Sequence, residues 1–575
     1  MPNEFIIKNG FRSQGNSEIT GSLGVTGSIN GLILGLGSSS IATNIAIGAS
    51  TLGFNTTGNN NVALGSSALY DNTTGTNNIA LGQNALRNNT EGNFNTALGV
   101  NSLRNNTTGN SNVALGPNSL QSNTTGNYNI AFGLEALGNK DNPNTGNNNI
   151  ALGQRALYSN TTGNRNLALG YNSLQYNTTG NYNTALGTTA LRYNYSGTNN
   201  TALGFRSSLS NTTGTGNISL GANSSLANTV GYDNIALGAS SLRANTLGAN
   251  NIALGYSTLR NNTEGDLNIA LGLNALYSNT TGNRNIAQGY KALYSNTEGT
   301  NNIALGSRAL YSNTTGIYNI AIGHEALLYN TYGNNNIAQG YRALFSNTIG
   351  AYNIAVGTSA LYYNTTGIYN IALGGFALSS NTTGVRNIAV GQNSLSSNTT
   401  GQYNIALGYN ALNKNTTGYQ NIALGGGALS SNTTGQSNVA LGGGALYYNT
   451  TGFSNTVLGE NALRYNTTGY RNVGLGLNTL SYNTTGYHNV ALGFSTLQFN
   501  TTGNHNTGIG YSAQSGNYSG SIMLGALATA TNNGQLALGS STYPLGPVTT
   551  EALVSNKTLQ INLNGNLYKV LMYQA

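Results

Sequence analysis

The 575-residue chain has no cysteine, no tryptophan, five prolines and only 6% charged residues. Without cysteine there are no disulfides and no thiolate metal sites. Average proteins carry about 25% charge, so this sequence does not describe the solvated surface of an ordinary globular enzyme. Long apolar runs are missing too: nothing approaches the roughly 20 residues that cross a membrane as a helix. The opening Met1–Gly10 has no apolar stretch of signal-peptide length. The expectation is synthesis in the cytoplasm without a signal peptide and no membrane insertion. The 21 lysines and arginines, in a chain of net charge +8, are too dispersed to form the basic patch that nucleic acid requires. Disorder needs low hydrophobicity with high net charge, and 38% hydrophobic residues argue against it.

What is abundant is glycine, 80 residues, set in a repeat. Segments of the form Asn-Ile-Ala-Leu-Gly place glycines at Gly48, Gly65, Gly82 and onward to Gly510, in 28 copies. Of the spacings, 26 are 17 residues and one, Gly133 to Gly153, is 20. The consensus is Asn-Ile-Ala-Leu-Gly-x-x-Ala-Leu-x-x-Asn-Thr-Thr-Gly-x-x. A fixed period of this kind marks a stacked architecture. Seventeen residues are too few for two helices, and glycine with asparagine in every copy weakens any helix. Each copy instead offers a short aliphatic strand, a second apolar step and a turn. The expected fold is all-β: a parallel β-solenoid, or β-roll, with one coil per copy. Coils spaced about 4.8 Å apart give a rod on the order of 130 Å long. The long copy carries extra residues at 138–143, which places a turn there.

Stacking turns each repeat position into a column. Strand alternation puts the Ile and Leu of Asn-Ile-Ala-Leu-Gly on one face, expected to fill the coil interior, and the Ala on the other, expected to face outward. On that reading Gln288 and Gln339, which stand where Leu is usual, are polar residues in the core. They are read either as satisfied amides or as a ring of symmetry-related glutamines. The Ala column holds Ala in 24 of 28 copies. A small outward residue implies close approach of another backbone, so Ala46, Ala63, Ala80 and Ala114 are the expected interface of a homo-oligomer. Two columns are always asparagine, through Asn44, Asn61 and Asn78 and through Asn55 and Asn72. Stacked amides can bond from coil to coil. The glycine closing each turn, as in Gly58 and Gly75, is expected at positive φ. Arginines and tyrosines occupy variable columns that face water. The tyrosine ladders read as packing, with sugar contact the lesser option.

Both ends leave the period. Residues 1–40 show short-strand patterns and read as a cap or attachment segment. Residues 41–510 form the repeat shaft, and 511–543, with glycines at Gly525 and Gly539, are shorter transition coils. Within 544–575, two apolar strands flank Asn564-Gly565, a hairpin signal. This segment is read as a tip or a trimer clamp, with Tyr543, Tyr568, Lys569 and Tyr573 as tip candidates.

The Asn-Ile-Ala-Leu-Gly-x-x-Ala-Leu copies resemble the head repeats of trimeric autotransporter adhesins, which form parallel β-rolls assembled as trimers. That family's repeat is shorter, and only the Gly510, Gly525 and Gly539 spacings match it. Phe5-Ile6-Ile7-Lys8-Asn9-Gly10, Ile19-Thr20-Gly21-Ser22-Leu23 and Leu567-Tyr568-Lys569-Val570-Leu571 are similar to termini of tailed-phage fibre and appendage proteins. The resemblance implies a homotrimer, attachment to a virion at one end and a host-surface glycan or protein at the other. An exported adhesin of the autotransporter type would need an export signal and a strand-rich anchor, so a tail fibre is the expectation. A self-assembling filament or cell-surface adhesin is the alternative. An ice-binding solenoid ranks below both, because Glu91, Glu264, Glu298, Leu247 and Tyr332 interrupt one threonine column. His324, His488 and His505 and the scattered acids form no catalytic constellation. The Asp-rich nonapeptide of calcium-binding β-rolls is missing. No enzyme activity, metal or cofactor is expected.

Overall fold

The computed structural model describes residues 28–29, 32–38, 41–543, 558–563 and 566–571. It is all-β: a parallel β-solenoid of about 29 coils with a repeat of about 17 residues. No helix occurs among the described residues. The chain divides into two compact units, residues 1–264 and 265–575. In the first, three-residue strands run from Ile45–Ile47 to Ile252–Leu254; in the second, from Ile269–Leu271 to Leu536–Leu538. Within each unit these strands pair in parallel from one coil to the next, like over like, as in Ile45↔Val62, Ala46↔Ala63 and Ile47↔Leu64. The backbone bonds continue around the coil. Leu69 N donates to Ala85 O at 3.0 Å, Thr73 N to Thr90 O at 2.9 Å and Asn77 N to Asn59 O at 3.0 Å. A coil therefore satisfies its polar backbone largely through its neighbours.

The interior is the reverse of the expected one. Ala63, Ala80 and Ala114 are fully buried within a single chain, and Ala46 nearly so. The flanking aliphatic residues point outward, with Ile45 51% and Leu64 42% exposed. The reason is the width of the coil. The opposite wall sends a leucine inward in nearly every turn, Leu52, Leu69 and Leu86 among them, each wholly buried. These leucines adopt positive φ, 49°, 49° and 51°, a conformation that costs an L residue about 1–2 kcal/mol and is held by the burial it achieves. Across from such a side chain there is room mainly for a small residue, and the one larger one in the 28 copies, the buried Val457, is followed one coil on by Gly474. Where the Ala column is Gly474, an added Cβ would lie 3.0 Å from Leu463 Cδ1 and 2.9 Å from Thr479 Oγ1. Thr479 is itself larger than the Ala or Ser usual at its position, so the missing methyl and the larger side chain compensate.

The turn glycines are also corrected. Gly58 and Gly75 are not among the positive-φ residues; the strand-closing Gly48 and Gly65 are, at 126° and 124°. Gly58 is needed for close approach instead. A Cβ there would sit 2.6 Å from both Asn55 Oδ1 and Asn72 Nδ2.

At the amino-terminal side, Leu32–Gly35 lies antiparallel on Ile45–Ile47, pairing Leu34 with Ile47, and so occupies the edge of the first coil. At the carboxy-terminal side, Thr558–Leu563 and Asn566–Leu571 form an antiparallel pair closing at Leu563↔Asn566. The Asn564-Gly565 turn between them lies outside the described residues. The 20-residue copy places its turn at 140–142, as its insertion implies.

Candidate binding surface

Two asparagine ladders brace the interior. In one, Asn72 Nδ2 donates to Asn55 Oδ1 at 2.8 Å and to Gly75 O at 3.0 Å. In the other, Asn61 N donates to Asn44 Oδ1 at 2.9 Å, Asn61 Nδ2 to Gly75 O at 2.9 Å and Asn78 Nδ2 to Asn61 Oδ1 at 3.2 Å. The amides are buried and satisfied, which is what burial of a carboxamide demands. The long copy keeps the first ladder through Asn144, which bonds Asn123 and Asn160, each at 3.0 Å.

Gln288 and Gln339 are not core residues. Both are exposed, because their column faces outward. The buried Ala46, Ala63, Ala80 and Ala114 cannot touch a sister chain, so the inference of an oligomer from an outward alanine column loses its basis. What the outward strand face carries instead is the Ile and Leu columns. In the 28 copies these two columns hold no charged residue, and only five threonines and the two glutamines interrupt an otherwise apolar set.

Elsewhere the coil carries aromatic and polar ladders. Tyr277, Tyr294 and Tyr311 stack at 5.1 and 5.2 Å, and Phe453, Tyr470 and Tyr487 at 4.8 Å each. Tyr448, Tyr465, Tyr482 and Phe499 form a further stack at 5.3, 5.2 and 5.8 Å. Offset stacking at these distances is favourable, so the packing role expected of the tyrosines holds inside each ladder. Beside the last ladder, the first threonine of each turn donates its hydroxyl to the next coil, as Thr433 Oγ1 does to Thr450 O at 3.1 Å. Two grooves run along outer columns of the coils. One, of about 540 Å³, includes Tyr128, Asn148, Arg165 and Tyr182; the other, of about 580 Å³, includes Lys414, Ser431, Tyr448 and Tyr465. The sequence reading missed both, although Ser431 between Lys414 and Tyr448 in one column signals the second.

Charge is concentrated at Glu325, which is buried between Arg342, at 2.8 Å, and Arg308, at 3.4 Å, with His324 at 3.8 Å. Burial pushes its carboxyl up, but the hydrogen bond and charge of Arg342, with His324 and Arg308, outweigh that and hold it below the usual carboxylate range. Arg155 makes the matching contact with Glu135 at 2.7 Å across the long copy, and the hydrogen bond and charge of Glu135 raise the Arg155 guanidinium.

Of the tip candidates, Tyr543 is exposed. Tyr568 and Lys569 sit on the second strand of the terminal pair, opposite Ile561 and Gln560. Tyr573 lies outside the described residues. Among the described residues, no group of three or more His, Cys, Asp or Glu could hold a metal ion, and no helix is long and apolar enough to cross a membrane. The chain matches no known family model and no curated protein.

Proposed function

We propose that the protein is the shaft of a homotrimeric virion appendage, a tail fibre that acts as a stiff spacer and host-surface adhesin. The observation that carries this reading is the outward Ile and Leu face. Exposed apolar patches beyond a few hundred Å² mark interaction sites, and these columns run uncharged through every copy of the repeat. Parallel sheets are rarely left open on one face. Three chains that turn this face toward a common axis bury it, and the aromatic and charged columns stay in water. Gln288 and Gln339 then lie at the chain–chain interface, where amides can bond across the axis and fix register. The virion assignment rests on the terminal segments that are similar to phage fibre proteins. The protein is structural and adhesive on this reading rather than catalytic.

Immunogold labelling of phage particles with antibody against residues 41–543 tests it. Label on discrete tail appendages of fixed length is expected; particles without label contradict it. A second reading, a head-to-tail filament, is favoured by the last parallel strand, Leu536–Leu538, which pairs on one side only among the described residues. Negative-stain images separate the two, since indefinite polymers of the purified chain belong to the filament.

A further inference from the structure

The Tyr448–Tyr465–Tyr482–Phe499 ladder begins abruptly. One coil earlier its column holds Ser431, and one coil before that Lys414. Tyr448 is stacked by Tyr465 on one side and braced by Tyr447, packed T-shaped at 4.7 Å. No ring stacks on it from Ser431. Coils are spaced about 4.8 Å apart, so Lys414 and Tyr448 are separated by about the space of one missing aromatic rung. The 580 Å³ groove occupies that space and continues beside the threonines from Thr433 to Thr484.

The chemistry of the groove is one-sided. The hydroxyl protons of Thr433, Thr450, Thr467 and Thr484 are committed to carbonyls of the following coils at 3.0–3.1 Å. Their oxygens retain acceptor capacity, so a guest must donate. The wall is the half-exposed Tyr448 and Tyr465, which offers an apolar ring surface. Lys414 is exposed, is the one charged residue lining the groove, and makes no ion pair among the described residues. A ring that carries several hydroxyl donors, an apolar face and an anionic substituent meets all three demands.

We propose that this vacancy binds a carboxylate-bearing pyranose of a surface glycan. The sugar ring takes the place of the missing rung on Tyr448, its hydroxyls donate to the threonine oxygens, and its carboxylate meets the Lys414 ammonium. The inference rests on the host-adhesin reading and supplies its ligand class. The groove lies about half a coil along the chain from the Ile and Leu face, so it stays open when that face packs.

The test is saturation-transfer NMR with titration, using the full chain with trigalacturonate and with its neutral methyl ester. Trigalacturonate is expected to bind and the ester to bind more weakly. Ser431→Tyr, which completes the ladder, is expected to abolish binding while the thermal melt is retained. Tyr448→Ala should weaken binding about tenfold and Lys414→Gln about threefold, with Tyr277→Ala, in a separate ladder, unchanged. Equal binding of acid and ester, full binding by Ser431→Tyr, or no binding of either sugar by the native chain would overturn the proposal. Because the measurement uses purified protein, it is independent of whether virions carry the label.

Discussion

Glycine acts here by omission of a side chain as much as by backbone freedom. An alanine at Gly367 would put its Cβ against Asn364 Oδ1 and 2.6 Å from Gly384 O, inside the asparagine ladder. Nothing lies within 4 Å of a Cβ at Gly375. Gly367→Ala is therefore expected to destabilise by about 1–3 kcal/mol, the usual cost of overpacking, and Gly375→Ala to be silent; urea denaturation of both variants checks the contrast. Glu325 gives a second residue-scale expectation. Its folded pKa is depressed, so its contribution is present above the unfolded carboxylate range, near pH 4.3, and fades as pH falls through the lower folded value. Glu325→Gln should cost about 1 kcal/mol at pH 7. The gap between variant and native melting temperatures should close below the carboxylate range; a gap that widens in acid would contradict the assignment.

At the scale of the coil, the interior is a fitted set of small residues and one leucine, and two coils of the repeat have serine in place of that leucine. Ser208 and Ser225 stand where leucine is usual, with Ser219 in the alanine column between them. Ser208 Oγ bonds Ser219 Oγ at 2.7 Å, while Ser225 Oγ is buried without a partner among the described residues. Restoring the consensus with Ser208→Leu, Ser219→Ala and Ser225→Leu should stabilise by about 2 kcal/mol or more per leucine. Unfolding midpoints in guanidinium measure it, and an unchanged midpoint would mean that the coil has closed around the serines. The period, the strands, the parallel register and the asparagine ladders were all legible in the repeat, because each depends on spacing that a sequence displays directly. Which face of a three-residue strand turns inward was not, since alternation alone permits either. The signal lay in tolerance: the Ile column admits Thr96, Thr184 and Thr201 and the Leu column admits Gln288 and Gln339, as outward positions can. The alanine column and the second small column, Ala68, Ala85 and Ser102, stay small because both are buried in the narrow interior that the leucines fill. The groove at Ser431 was hidden for a different reason. It is made by one residue's absence from a ladder, and repeat consensus averages such gaps away.

At the scale of the molecule, a single chain leaves an uncharged aliphatic face open to water while its alanines, asparagines and leucines are satisfied within the coil. That imbalance, more than any one residue, is what the proposed homotrimer would resolve. Charge placed on the face should disperse such a trimer without unfolding a coil, because the side chains of Ile354, Ile371 and Ile388 are already partly exposed. Ile354→Glu with Ile371→Glu and Ile388→Glu is expected to leave the β-rich circular dichroism spectrum intact and to reduce the particle mass. The measurement that tests the central claim most directly is the mass of the native full chain by size-exclusion chromatography with multi-angle light scattering. A value about three times the 59.4 kDa chain mass is predicted; a stable particle at the mass of one chain would contradict it.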